Sequence, residues 1–361
     1  MVEINKLVRK NVLSLTPYSS ARDEFKGKTG IFMDANENPY GQLNRYPDPY
    51  QKELKTAISL YKGINEEKIF LGNGSDEIID LCFRVFCNPG VDKALTFTPT
   101  YGMYEVSAAV NDITVIKIPL TEDFQINLQK LKELKYEKNL KLIFICSPNN
   151  PSGNAIDFPV VEKILDSFNG IVVIDEAYID FSEKPSFAVL LDKYTNLILM
   201  QTFSKAFGLA SVRIGMAFSH PEIISYFNKI KPPYNISTVN QKAALKKLKN
   251  IEEVKVQILK IKKERERLVS ELQKMKFTEK IYPSDANFLL VKVTDANYIY
   301  NMLVDKKIII RNRSSIVDNC LRITVGKKSE NDKLIKALKE LASEPGKEAS
   351  PSHPGRGGPR G

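Results

Sequence analysis

Lys205 stands in the run Thr202-Phe203-Ser204-Lys205-Ala206-Phe207-Gly208, with Arg213 eight residues after the lysine. Lysine is the side chain that condenses with carbonyls to form Schiff bases, and burial beside another cation moves it toward the nucleophilic free amine. Hydroxyls, a glycine and a guanidinium around such an amine suit a carbonyl compound that also carries a phosphate. A surface lysine would show the same neighbours, so the remaining segments decide. Asp175 closes the apolar run Ile171-Val172-Val173-Ile174, whose β-branched residues suit a strand buried on both faces. An unpaired carboxylate is costly at such a strand end, although a helix N-cap would explain it as well as a ligand contact. Leu142 to Cys146 is a further apolar run, and Ser147-Pro148-Asn149-Asn150-Pro151-Ser152-Gly153 after it is a rigid turn. Leu71-Gly72-Asn73-Gly74-Ser75-Asp76-Glu77 precedes the apolar-periodic Ile78 to Phe86. It reads as a glycine loop opening on a helix N-terminus, where free N–H groups and the helix dipole attract anions. Plain capping would explain Asp76 and Glu77 without any ligand.

The elements behind these residues follow from the alternation of the chain. From about Gly41 to Lys231 strand-like and helical runs alternate, which predicts a mainly parallel sheet covered by helices. Ligands in such folds lie beyond the C-terminal ends of the strands. Lys205 follows the run Asn196 to Met200 and Tyr101 follows Ala94 to Thr98, so both are expected at that edge. Lys242 to Lys276 reads as one long amphipathic helix with a solvated face. A smaller α/β part is expected after it, with strands near Phe288–Val291, Lys307–Ile310 and Leu321–Thr324. The expected organisation is a large domain over 41–240, the start of a connecting helix over 241–263, and a small domain over 264–343 that packs with residues 1–40. Residues 344–361, rich in Pro, Gly, Ser and Arg, read as a disordered tail.

Glycine loop, loop aromatic, Asn-Pro-Ser-Gly, Asp-x-x-Tyr and Ser-Lys occur here in one order. In that order they resemble the fold-type I, class II aminotransferases that use pyridoxal phosphate. The resemblance implies a fold-type I α/β architecture: a large domain with a mainly parallel mixed sheet, plus a smaller α/β domain. It implies that Lys205 binds the cofactor and moves protons, and that Asp175 keeps the pyridine nitrogen protonated. Tyr178 and Asn150 would bond the ring oxygen, and Tyr101 would stack on the ring. The phosphate would be held by Ser75, Asp76, Thr202, Ser204 and Arg213.

The ends of the chain narrow the resemblance. Leu15-Thr16-Pro17-Tyr18, Asp34-Ala35-Asn36-Glu37-Asn38-Pro39-Tyr40-Gly41 and Arg45-Tyr46-Pro47-Asp48-Pro49 stand near the N-terminus. Ser284-Asp285-Ala286-Asn287-Phe288, Ile308-Ile309-Ile310-Arg311 and Leu321-Arg322-Ile323-Thr324-Val325-Gly326 stand near the C-terminus. From about Tyr18 to about Leu341 these are similar to the subgroup that acts on histidinol phosphate in histidine biosynthesis. The resemblance implies a transaminase that interconverts histidinol phosphate and 2-oxoglutarate with imidazole-acetol phosphate and glutamate. Arg322 would grip the substrate's anionic end, Arg311 and Tyr18 its phosphate, and Asn38 would face the substrate. Tyr46 would reach the cofactor phosphate of a neighbouring subunit, making the working unit a homodimer. Threonine-phosphate decarboxylases and aromatic aminotransferases share many of these motifs and are the alternatives. Ser211 and Ser152 replace the glycine and threonine usual in relatives, and both are small enough to serve. Without the resemblance, Arg311 and Arg313 read as a solvated strand end.

Composition narrows the rest. The chain has 361 residues, two histidines and four cysteines without metal-ligand spacing, so neither a histidine triad nor a zinc site is expected. No run approaches a membrane span and the start lacks a signal peptide's apolar stretch, so a cytoplasmic protein is expected. The formal charge of +10 lies largely in the Lys242–Lys276 region. It favours small anionic substrates over nucleic acid, since no helix-turn-helix precedes the lysine region.

Overall fold

A computed structural model describes residues 2–18, 30–133 and 137–343. The chain first builds β1 (Ile69–Asn73), β2 (Lys93–Thr98), β3 (Thr114–Pro119), β4 (Leu140–Cys146), β5 (Ile171–Asp175), β6 (Leu197–Thr202) and β7 (Ile214–Ser219). They form one sheet in the order β1-β7-β6-β5-β4-β2-β3. β7 runs antiparallel to both its neighbours, and the β3-β2-β4-β5-β6 pairs are all parallel. The β-branched run of β5 is buried throughout because both faces of the sheet are covered. Val172 and Ile174 join one core with Leu71, Ile143 and Leu199. Ile171 and Val173 join the other with Phe70, Phe144 and Met200. This alternation of faces along a strand fixes register, since a slip by one residue would exchange the two cores.

The smaller unit is a four-stranded antiparallel sheet in the order β10-β11-β9-β8. Its strands are β8 (Thr278–Ile281), β9 (Phe288–Val293), β10 (Arg311–Asn312) and β11 (Cys320–Thr324).

Four expectations change. The long helix is two, Thr238–Lys249 and Ile251–Leu272, separated at Asn250 with φ −111° and ψ 39°. The Asn250 amide donates to the Lys246 carbonyl at 3.0 Å, a local bond that competes with helix continuation. The strand expected at Lys307–Ile310 begins only at Arg311. Lys307 is left-handed at φ 60°, and Ile308 N–H still bonds the Leu303 carbonyl at 2.8 Å. β8 was not expected, because its partly exposed Thr-Glu-Lys-Ile sequence lacks an apolar run. Finally, the sequence predicts that the N-terminal segment packs with the small unit, yet its residues Ile4, Val8 and Val12 pack on the large one. They are buried with Phe83 and Phe86, and Arg9 N–H bonds the Val85 carbonyl at 2.9 Å. Residues 19–29 and 344–361, part of the N-terminal and tail expectations, lie outside the described residues.

Candidate active site

The parallel strands end at one edge of the large sheet, and the residues singled out for the cofactor, Tyr46 apart, meet there. A cavity of about 140 Å³ is lined by Ser75, Asp76, Tyr101, Cys146, Asn150, Asp175, Ala177, Tyr178, Thr202, Ser204, Lys205, Ala210 and Arg213. Because β7 is antiparallel, its beginning lies at the same edge as the ends of β5 and β6. This delivers Arg213 from the opposite chain direction. Arg213 itself is left-handed at φ 54°, a conformation unfavourable for a bulky side chain and typical of functional positions.

Asp175 is 3 % exposed and both its oxygens are engaged. The Tyr104 hydroxyl donates to Oδ2 at 2.8 Å and the Ala177 N–H to Oδ1 at 3.0 Å. Burial pushes the carboxyl pKa up, while these two donors and the Lys205 charge pull it down. Asp175 caps no helix: the chain continues into a 3₁₀ turn at Ile179–Phe181. Lys205 lines the same cavity, its Nζ 5.5 Å from the Tyr178 ring centre. Its pKa is lowered, first by removal of water and then by Arg322, with Asp175 opposing. Tyr178 is nearly buried and packs edge-on against Phe288 of β9 at 5.1 Å, so the two sheets meet over the site.

The opposite end of the cavity is built for an anion. The helix Ser75–Phe86 starts there behind Gly74, which has φ 78°. A Cβ on Gly74 would stand 2.6 Å from Arg213 Nη2, so the positive φ and the missing side chain let the guanidinium lie against the loop. Arg213 pairs with Asp76 at 3.0 Å, and Asp76 also accepts from the Tyr101 hydroxyl at 3.2 Å. Thr202 and Ser204 join hydroxyls at 3.0 Å. Two hydroxyls, a guanidinium and the free N–H groups of a helix start fit a phosphate. A buried carboxylate and a lysine of lowered pKa fit the rest of a pyridine aldehyde. The residues present therefore fit pyridoxal phosphate.

The small unit supplies further cations. Arg322 of β11 donates to the Asn150 side-chain oxygen and lies 5.4 Å from the Phe288 ring centre. Arg311 is its cross-strand partner. Tyr18, Asn38 and Tyr46 are not among the residues lining the Lys205 cavity. Tyr18 is 69 % exposed. Asn38 and Tyr46 line a separate open hollow of about 740 Å³, where Tyr46 stacks on Tyr234 at 4.5 Å. Tyr104 was not singled out in the sequence. The available signal was its i, i+3 spacing from Tyr101, which sets both rings on one side of a helical turn. Among the described residues no cluster of three His, Cys, Asp or Glu could hold a metal. Among them, too, no helix is long and apolar enough to cross a membrane.

A lysine, a buried aspartate and an anion cradle at the strand ends of an α/β sheet define a pyridoxal-phosphate enzyme of the aminotransferase class. The chain belongs to the aminotransferase class I and II family, whose model matches residues 29–338. At the level of individual relatives, it is 53% identical over 346 residues to a histidinol-phosphate aminotransferase of Christiangramia forsetii, covering 94% of this chain and 99% of the relative. The fold is similar to that of histidinol-phosphate aminotransferase from Clostridium acetobutylicum, with TM-score 0.76 and 28% identity over 83% of this chain and 91% of that one. The enzyme from Sinorhizobium meliloti, solved in complex with pyridoxal-5'-phosphate, matches with TM-score 0.75 and 26% identity over 85% of this chain and 89% of that one.

Proposed function

We propose that this protein transfers the amino group of L-histidinol phosphate to 2-oxoglutarate, giving imidazole-acetol phosphate and L-glutamate in histidine biosynthesis. The observation that carries the reading is Arg322, with Arg311 beside it, held against the cavity-lining Asn150 and facing the edge where Lys205 and Asp175 lie. Bound pyridoxal phosphate supplies an electron sink that makes the hydrogen on the substrate's amine-bearing carbon acidic. Lys205, shifted toward its free amine, accepts that proton and returns it. Asp175 would offer a fixed negative charge to a protonated ring nitrogen, and Tyr178 and Asn150 would supply donors to a ring oxygen. The backbone N–H groups of Ser75 and Asp76, with Thr202, Ser204 and Arg213, would hold the cofactor's phosphate, and Tyr101 would cover the ring. Arg322 and Arg311 bind the substrate's anionic end with planar forks, and Tyr18 and Asn38 complete the substrate side.

Tyr46 lies in its own hollow rather than in the Lys205 cavity. This supports its service to a second copy, and with it a homodimer. Ile31, Met33, Tyr40 and Leu43 are each more than two-thirds exposed, apolar surface that a second copy would cover. Freely diffusing substrates suit a cytoplasmic enzyme.

The test is a single half-reaction. Holoenzyme is mixed with L-histidinol phosphate, L-phenylalanine or L-threonine phosphate, and the cofactor's visible absorbance is followed. Rapid conversion by histidinol phosphate, reversed by 2-oxoglutarate, is expected. Lys205→Ala should lose at least about 10²- to 10⁴-fold, the worth of positioned acid–base catalysis alone. Carbon dioxide release from threonine phosphate, with histidinol phosphate inert, would move the protein to the decarboxylases.

A further inference from the structure

A third guanidinium lies on the face of the small sheet that carries Arg311 and Arg322. Arg311 and Arg322 are directly opposed in the β10–β11 pair, and opposed residues of an antiparallel pair project to the same face. The ladder continues one step further, Arg313 N–H donating to the Cys320 carbonyl at 2.8 Å. Arg313, two residues from Arg311, therefore returns to that face. The ionised groups acting on Arg313 are the guanidinium groups of Arg322 and Arg311, and the one acting on Arg322 is Arg311; the Tyr178 hydroxyl beside them is held protonated by burial. Among the described residues, no carboxylate is one of them. Arg313 Nε is moreover buried without a hydrogen-bond partner among the described residues. Like charges gathered without a counter-ion repel one another, and a buried donor without an acceptor is costly. An anion arriving on this face relieves both.

A single carboxylate is satisfied by one bidentate fork, which Arg322 can supply. We infer that Arg313 is a specificity-determining residue, whose guanidinium adds the positive charge that makes this pocket favour a phosphate dianion over a carboxylate. The inference rests on the proposed transfer from a phosphorylated donor and identifies what in the pocket tells the two substrates apart.

The experiment compares wild-type, Arg313→Gln and Arg313→Lys holoenzymes in separate half-reactions with L-histidinol phosphate and L-glutamate. Inorganic phosphate serves as competitor of glutamate in each. Arg313→Gln should lower kcat/KM for histidinol phosphate by about 10- to 100-fold, mainly through KM, the size of one charge-assisted bond. Glutamate should change by no more than about threefold, and Arg313→Lys, which keeps the charge without the fork, should fall between. The wild-type preference for histidinol phosphate should rise as the phosphate loses its second proton near about pH 6. That rise should flatten in Arg313→Gln, which a purely structural residue would not cause. Equal losses for both donors, or unchanged phosphate inhibition, would overturn the inference. If Arg313→Gln fails to fold, Arg313→Lys carries the same comparison. A wild type inert toward histidinol phosphate would sink the proposed reaction alone. Phosphate competition against glutamate would still decide Arg313: weaker inhibition in the variant upholds it, equal inhibition rejects it.

Discussion

Asp175 is useful to a cationic ring only while it stays ionised, and burial works against that. The protein's answer is the Tyr104 hydroxyl at 2.8 Å and the Ala177 N–H at 3.0 Å. Tyr104 is itself held face-to-face on Phe144 at 4.9 Å, so its hydroxyl is a fixed donor rather than an adaptable one. Tyr104→Phe removes one hydrogen bond to a charged group, worth about 1.5–3 kcal/mol, while keeping the ring packing. We expect cofactor affinity to fall by about tenfold or more and the pH dependence of the bound cofactor's absorbance to shift. Fluorescence titration of the apoprotein with pyridoxal phosphate measures the first. Unchanged affinity together with an unchanged absorbance profile would reject Tyr104 as a positioning residue. The contrast with Lys205 or Asp175 shows what a sequence exposes. Those residues break apolar strands, so their cost is visible locally. Tyr104 looks like helix packing until its partner, 71 residues away in sequence, is placed beside it.

Between elements, the site depends on backbones that nearly touch. Gly215 in β7 faces the loop before the helix Ser75–Phe86, and a Cβ there would stand 2.5 Å from Gly74 C and 2.6 Å from Ser75 N. Backbone on both sides cannot yield as a side chain would. Gly215→Ala should therefore push the helix start away from the phosphate position, destabilising the protein by about 1–3 kcal/mol and weakening cofactor retention. Denaturant midpoints and cofactor dissociation rates check both; if neither moved, the close approach would be unimportant. A second junction explains the Ser284-Asp285-Ala286 segment. Asp285 N–H bonds the Gly153 carbonyl at 2.7 Å, and its carboxylate accepts from Ala155 N–H at 3.0 Å and the Ser182 hydroxyl at 3.1 Å. The small unit is thus docked on the turn that carries Asn150. Apolar runs made β4, β5 and β6 legible, because burial on both faces leaves an unmistakable composition. The break at Asn250, the edge strand β8 and the docking of residues 2–14 were not legible. Each is decided by a local hydrogen bond or a distant partner rather than by periodicity.

Across the molecule, ionisable groups buried for the sake of the site tie its stability to pH. Glu176, next to Asp175, is fully buried and links three segments. Its carboxylate accepts from Phe187 N–H at 2.7 Å, the Ser186 hydroxyl at 2.6 Å and the Gln201 amide at 2.8 Å. Gln201 directly precedes Thr202, so Glu176 bridges the ends of β5 and β6. Burial outweighs the three donors and the nearby Lys62, and pushes the Glu176 pKa from 4.5 to about 7. Between these values the folded protein holds a proton that the unfolded chain has released. The stability from this group is therefore fully present below about pH 4.5 and falls as pH rises to about 7, by roughly 3 kcal/mol in total. Above that, both states are ionised and the contribution is constant. Glu176→Gln keeps the shape and an acceptor oxygen, and the otherwise unpartnered Gln201 side-chain oxygen can turn to accept from the new amide. The variant should therefore lack this decline. Urea midpoints at pH 5 and pH 8 should fall more steeply with pH in the wild type than in Glu176→Gln. Parallel profiles would mean that Glu176 is ionised throughout, its three donors outweighing the loss of water.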